Sequence, residues 1–128
     1  MRDMLNLMNE LQAAGISDSE TRKSFEECRR LNALHGKTYF LATRLLPKNK
    51  RPFVHALYGF ARFADEIVDD LNSPLSKEER ISKFKEWKAS TLRDLYANRS
   101  DDPILRSLIY TINRFEIDIS YFEAFLKS

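Results

Sequence analysis

The sequence has only one cysteine, 3 glycines and 4 prolines in 128 residues. The single thiol, Cys28, excludes an intrachain disulfide. It falls within a helical pattern and reads as an inert packed side chain. With so little glycine and proline to interrupt it, the chain should form long helices. No apolar run approaches the roughly 20 residues of a membrane span. The opening MRDMLNLMNEL carries acidic residues inside its apolar run, unlike a secretory signal. A strong charge excess is missing too: a net charge of +2 is too small to argue for nucleic acid as a partner. A reducing cytoplasm is the expected compartment. Short basic clusters at Arg29–Arg30 and at Lys48, Lys50 and Arg51 read as solvated helix ends. Their alternative use is contact with a diphosphate or, peripherally, with an anionic membrane surface.

The residues that are present suffice for one globular domain. Hydrophobic residues at 43% and charged residues at 31% are ordinary proportions for a packed core with a solvated surface. Residues 2–13 read as a short amphipathic helix with Met4, Leu5, Leu7, Met8 and Leu11 on its apolar side, stopped by Gly15. Ser17-Asp18-Ser19-Glu20 has the form of a capping box. It opens a helix with Phe25, Cys28, Leu31 and Leu34 as a core stripe. Residues 37–46 are expected to be helical and to end at Pro47, because the residue before proline is pushed out of the α region. Pro52 suits the first turn of a central helix over about 52–71. Ser76 with Glu79 is a second capping box, starting a helix with Ile81, Phe84, Trp87, Leu92 and Leu95 inward. Asp102 and Pro103 cap and start a helix bearing Ile104, Leu105, Leu108, Ile109 and Ile112. Ser120 with Glu123 suggests a third capping box before Tyr121, Phe122, Phe125 and Leu126. The fold class expected is therefore all-α.

The chain is organised around Tyr58–Asp70, YGFARFADEIVDD. At about 100° per residue, Tyr58, Arg62, Asp65 and Asp69 fall within roughly 60° of one another and form one polar stripe. Apolar residues occupy most of the remaining circumference, so the stripe should face a cation, a salt-bridge partner or a wet cavity. Asp65 and Asp69, at i and i+4, place their Cβ atoms about 5–6 Å apart. That spacing lets both carboxylates reach Mg²⁺, an octahedral ion that takes one or two carboxylates and fills its other positions with water and phosphate oxygens. Arg62 could bind phosphate bidentately, and Tyr58 could orient a diphosphate or face a developing cation. The plainer reading is an Arg62–Asp65 ion pair, with Asp69 and Asp70 as solvated helix-end charges. His35-Gly36-Lys37-Thr38-Tyr39 is a second candidate. Backbone N–H groups, an ammonium and a hydroxyl can hold an anion there, although the frame is not that of a nucleotide-binding P-loop. His35 could equally serve the helix dipole.

HGKTYFLATRLLP, followed after a short basic link by ALYGFARFADEIVDD, resembles the N-terminal signature of the squalene/phytoene synthase family, most of all its bacterial phytoene synthases. The family pattern is H-S-K-S-F, then L-L-P, then Y-x-x-x-R-x-x-D-D-x-x-D. The likeness spans about residues 25–72. The helix that follows, and FEIDISYFEAFL, fit what comes next.

The resemblance implies an all-α bundle of the isoprenoid synthase type, with residues 1–16 as an N-terminal extension and 17–128 as the family match. It implies head-to-head condensation of two prenyl diphosphates, with geranylgeranyl diphosphate to phytoene chemistry in carotenoid biosynthesis as the expected case and Mg²⁺ or Mn²⁺ as cofactor. By motif position, Asp65 and Asp69 would be metal ligands, assisted by Glu66. Lys37, Thr38 and Arg62 would contact diphosphate, Tyr58 would line the reaction centre, and His35 and Tyr39 belong to the same substrate motif. The sequence departs from the pattern in having Gly36 where serine is common and Glu66 where a second aspartate is common. A second aspartate-rich motif on a later helix is absent. The chain therefore reads as the N-terminal part of such an enzyme. Its implied partners are a prenyl diphosphate and a C-terminal part or partner subunit. A non-catalytic prenyl-diphosphate-binding or subunit-interaction module is the alternative. An apolar face built from Phe60, Val68, Phe122 and Phe125 is expected to be uncovered.

Asp70 lies about 100° off the stripe. Asp70→Asn should therefore cost less Mg²⁺-dependent binding of geranylgeranyl diphosphate than Asp65→Asn, as titration calorimetry of the two variants would measure. Equal losses would contradict the stripe.

Overall fold

The computed structural model describes residues 2–36, 40, 43, 45–68 and 76–127, the side chains of Arg2, Asp3, His35 and Val68 excepted. Among the described residues there are six helices and no strand. In chain order these are α1 (Arg2–Ala13), α2 (Ser19–His35), α3 (Arg51–Val68), α4 (Lys77–Ala97), α5 (Pro103–Phe115) and α6 (Ser120–Lys127). The expected helix 37–46 falls largely outside the described residues, as do Asp69, Asp70 and Leu71 at the end of the expected central helix.

The helix boundaries have local causes. Gly15, at φ 77°, ends α1 in a Schellman turn: Ile16 N–H donates to Leu11 C=O and Gly15 N–H to Gln12 C=O, conformations that suit a residue without Cβ. Asn98 (φ 60°) and Glu116 (φ 51°) end α4 and α5 in the same left-handed region. α2 is capped by Asp18, not by the expected Ser17. The Asp18 carboxylate accepts from both Thr21 N–H and Thr21 Oγ1 at 2.9 Å. Ser76 caps α4 as expected, accepting from Glu79 N–H at 3.2 Å. Asp102 Oδ1 accepts from Ile104 and Leu105 N–H at the start of α5. The Ser120–Glu123 box does not form. Asp118 Oδ1 accepts from Ser120 N–H at 2.9 Å, while Glu123 accepts from the Tyr96 hydroxyl and pairs with Lys127.

Helices α2, α3 and α5 pack on one another most extensively. All five of the expected α5 residues are buried, Leu108 completely. Burying a leucine of this kind contributes about 1.5–3 kcal/mol. Two aromatic groups sit along α3. Phe53 meets Phe25 and Phe115 edge-on, while Phe60 lies against Trp87, Phe122 and Phe125. Phe60 and Phe122 are therefore core residues rather than an uncovered face, because α4 and α6 close over that side of α3. Phe125 is exposed, as are Leu34, Ile81, Met4, Leu5 and Met8, five residues expected inward. Cys28 is fully buried, and burial pushes its thiol up to about 12. The Ser107 hydroxyl donates to the Ile104 carbonyl, so its 3.0 Å contact with Cys28 Sγ has the thiol as donor.

The basic pairs depart furthest from expectation. Arg29 is buried, with Nε 3.1 Å from Glu10 Oε1. Arg51 Nη1 lies 3.8 Å from Glu10 Oε2. Neither is a solvated helix end, since Glu10 of α1 is itself buried and an isolated buried carboxylate is costly. His55 completes the group. Its Nε2 is 4.0 Å from Glu10 Oε1, and its Nδ1 accepts from Asn32 Nδ2 at 2.7 Å.

Burial, then the Arg29 and Arg51 charges, lower the His55 pKa from 6.5 to about 4. The unfolded chain therefore binds a proton that the native state refuses. The resulting stabilisation is full above pH 6.5 and is lost as the pH falls towards 4. It amounts to about 3 kcal/mol. Thermal melts should show Tm falling across that window, and His55→Asn should flatten the dependence there.

Candidate active site

The site is built on α3. Tyr58 and Arg62 are half-buried, and Asp65 is exposed. Arg62 does not pair with Asp65, the plainer reading of the sequence. Its Nε lies 3.4 Å from Glu66 Oε1, an i,i+4 contact. That leaves the Asp65 carboxylate outside the arginine pair and open to solvent. Glu66 lines a cleft of about 500 Å³ with Lys23, Glu27 and Arg30 of α2 and Asp102 before α5. Its engagement there and with Arg62 sets it apart from Asp65, one residue earlier on the rod.

The structure brings the start of the two candidate motifs together. Gly36 is the C-cap of α2 and donates its N–H to Asn32 C=O. A Cβ built on it would lie 2.5 Å from Tyr58 Oη and 2.7 Å from Cζ. The Tyr58 phenol thus occupies the space that a side chain at position 36 would need. Gly59 next to it is equally constrained: a Cβ there would lie 2.9 Å from Cys28 Sγ and 3.2 Å from Cys28 Cβ. These two contacts draw α2 and α3 together and aim Tyr58 at the end of α2 from which the His35–Tyr39 motif departs.

His35 is the last residue of α2. Lys37, Thr38, Tyr39 and Asp69 lie outside the described residues. Gly36 and Phe40, at either end of the three motif residues, are joined by a bond from Phe40 N–H to Gly36 C=O of 2.6 Å. Among the described residues no group of three or more His, Cys, Asp or Glu could hold a metal ion. The donor at Asp65 is nevertheless of the kind Mg²⁺ takes, a hard carboxylate oxygen whose companions are water and phosphate. Glu10, Arg29 and His55 were not singled out as a group by sequence. A buried salt bridge between α1 and α2 has no local signature, and only the apolar flanks of Glu10 hint at its burial.

Six helices with no strand among the described residues, matching the fold of a solved squalene synthase, place the chain in the isoprenoid synthase type. The chain belongs to the squalene/phytoene synthase family, whose model matches residues 33–128. It is similar to a phytoene synthase of Arthrospira platensis, at 32% identity over 77% of this chain and 31% of that protein. It is also similar to a 15-cis-phytoene synthase of Synechococcus elongatus, at 30% identity over 82% of this chain and 33% of that protein. The crystal structure of squalene synthase HpnC from Alicyclobacillus acidocaldarius matches with a TM-score of 0.72 and 25% identity, covering 90% of this chain and 41% of that one. The chain spans about a third of the length of these curated relatives. No helix among the described residues is long and apolar enough to cross a membrane.

Gly36→Ala should displace the Tyr58 ring and lower stability by about 1–3 kcal/mol, the usual cost of overpacking. Thermal melts and the tyrosine ring resonances would register both effects. Gly36→Ala combined with Tyr58→Leu should recover most of the loss, whereas no recovery would place the strain elsewhere.

Proposed function

We propose that this chain forms one wall of an active site that condenses two prenyl diphosphates head to head, with geranylgeranyl diphosphate as substrate and phytoene as product. The observation that carries this reading is the approach of Tyr58 on α3 to Gly36 at the end of α2. Gly36 and Tyr58 belong to the two sequence motifs that resemble those of the family. The names of the relatives support the phytoene reading.

In this mechanism Arg62, Lys37 and Thr38 hold the diphosphate, the arginine offering a fork of donors that matches phosphate oxygens. Arg62 is half-exposed and held by Glu66, so it can turn to an incoming anion at modest cost. Asp65 and Asp69 would hold Mg²⁺, which when bound neutralises charge on the departing diphosphate. The allylic C–O bond breaks, and its electron pair leaves with the diphosphate. The double bond of the second substrate then attacks the carbon left behind. The Tyr58 ring, half-buried beside the motif, offers its π-face to that cation. A first proton loss closes a cyclopropylcarbinyl diphosphate. Its own C–O bond then breaks, the electron pair leaving with the second diphosphate, and after rearrangement a second proton loss gives phytoene. His35 and Tyr39 would line the same site, and Glu66 would act through Arg62.

Only one carboxylate-bearing motif of the family pattern lies in this chain, whereas two substrates must be held and two diphosphates released. A prenyl-diphosphate-binding or subunit-interaction module is the second reading. The exposed Tyr121 and Phe125 of α6 favour it, since neighbouring exposed aromatics suit an interface.

Incubating the 128-residue chain with geranylgeranyl diphosphate and Mg²⁺ should give binding without a C40 product. A C40 product should appear when a C-terminal part carrying the second aspartate-rich motif is added. Robust phytoene formation by the chain alone would overturn the requirement for that part, and no Mg²⁺-dependent binding would overturn the functional reading.

A further inference from the structure

The buried polar group around Glu10 reaches the candidate site through one aromatic ring. Phe40 follows the His35–Tyr39 motif. Its ring lies under the Arg29 guanidinium, with Cζ 5.2 Å from the ring centroid, and stacks on His55 at 5.5 Å with an interplanar angle of 21°. Both partners converge on Glu10. Arg29 Nε is 3.1 Å from Oε1, and His55 Nε2 is 4.0 Å from the same oxygen. Asn32 fixes the His55 ring from its other edge, and Arg51 approaches Glu10 Oε2. The backbone of Phe40 is also tied: its N–H donates to Gly36 C=O, and its C=O accepts from Thr43 Oγ1.

We infer that Glu10 and Arg29 are positioning residues for diphosphate binding, holding Phe40, the residue that directly follows the His35–Tyr39 segment. This rests on the function proposed above for that segment. The family model begins at residue 33, so both residues lie before the matched region and α1 becomes part of the site's support. The chemistry requires this particular set. A cation stacked on a ring face is attracted to it strongly only when desolvated, and Arg29 is 5% exposed. A buried guanidinium in turn needs a carboxylate, which Glu10 supplies from a different helix. His55, neutral through burial, stacks on the same ring as a flat partner that adds no second cation.

A double-variant cycle in the 128-residue chain separates positioning from stability. Glu10→Gln should lower Tm and weaken Mg²⁺-dependent binding of geranylgeranyl diphosphate. Adding Arg29→Met removes the stranded buried charge and should restore most of the Tm. Affinity should stay down by about ten-fold, because the cation over Phe40 is gone. Phe40→Leu, with the ion pair intact, should give the same loss of affinity with little change in the amide protection of α1 and α2. Should Glu10→Gln fail to fold, the Arg29→Met double variant and Phe40→Leu still decide the matter. Affinity that returns with Tm in the double variant, or that is unchanged in Phe40→Leu, would overturn the inference. If the unaltered chain binds no geranylgeranyl diphosphate, the functional reading fails instead. Amide exchange at Phe40 in Glu10→Gln then tests the clamp by itself: faster exchange there than in α5 supports it, and uniform or unchanged exchange overturns it.

Discussion

The close approach of α2 and α3 at Gly59 governs the rest of the molecule. Cys28 presses against a position with no Cβ, and any larger residue there would have to push the helices apart. From that contact the neighbouring registers follow. Asn32 meets His55, Phe25 meets Phe53, and Tyr58 reaches Gly36. α5 then packs on both helices, with Ser107 filling the space beside Cys28. A protein interior is close-packed and transmits displacement, so widening this one contact would move Tyr58 away from the motif it faces.

The second constraint is electrostatic. Burying Glu10 and Arg29 together costs solvation that their attraction only partly returns, and removing either partner alone strands a charge. Such pairs are poor sources of stability, but they are directional. Glu10 can satisfy Arg29, Arg51 and His55 only if α1, α2 and α3 hold one mutual arrangement. The neutral state of His55 belongs to the same arrangement, because burial disfavours its charged form and two arginines stand nearby, while its Nδ1 accepts from Asn32.

Along α3, the pairing of Arg62 with Glu66 rather than Asp65 gives adjacent carboxylates different surroundings. Glu66 is held by its arginine and faces the cleft towards α2 and α5. Asp65 is left outside that pair and exposed. A family pattern that usually has aspartate at position 66 would place a shorter arm there, with less reach towards Arg62. The longer glutamate side chain suits an i,i+4 pair, which depends on the two side chains spanning one helical turn.

Local chemistry was readable along the chain. Asp102-Pro103 and Ser76 announce helix starts because caps act through neighbours three residues away. The α5 core follows from a period of 3.6 that no charge interrupts. The polar stripe of Tyr58, Arg62 and Asp65 follows from the same geometry, and the motif order points to the family without any structure. The burial of Arg29 and Arg51 could not be read in this way, because a charged residue looks the same in sequence whether its partner is water or Glu10 on another helix. Nor could Phe60 be placed, since whether an apolar residue is covered depends on where α4 and α6 come to rest. Sequence alone determined which residue types share a helix face, because that is set by the rotation per residue. Tertiary structure alone decided which faces meet, because that depends on where the chain is thin enough, at Gly36 and Gly59, for helices to touch.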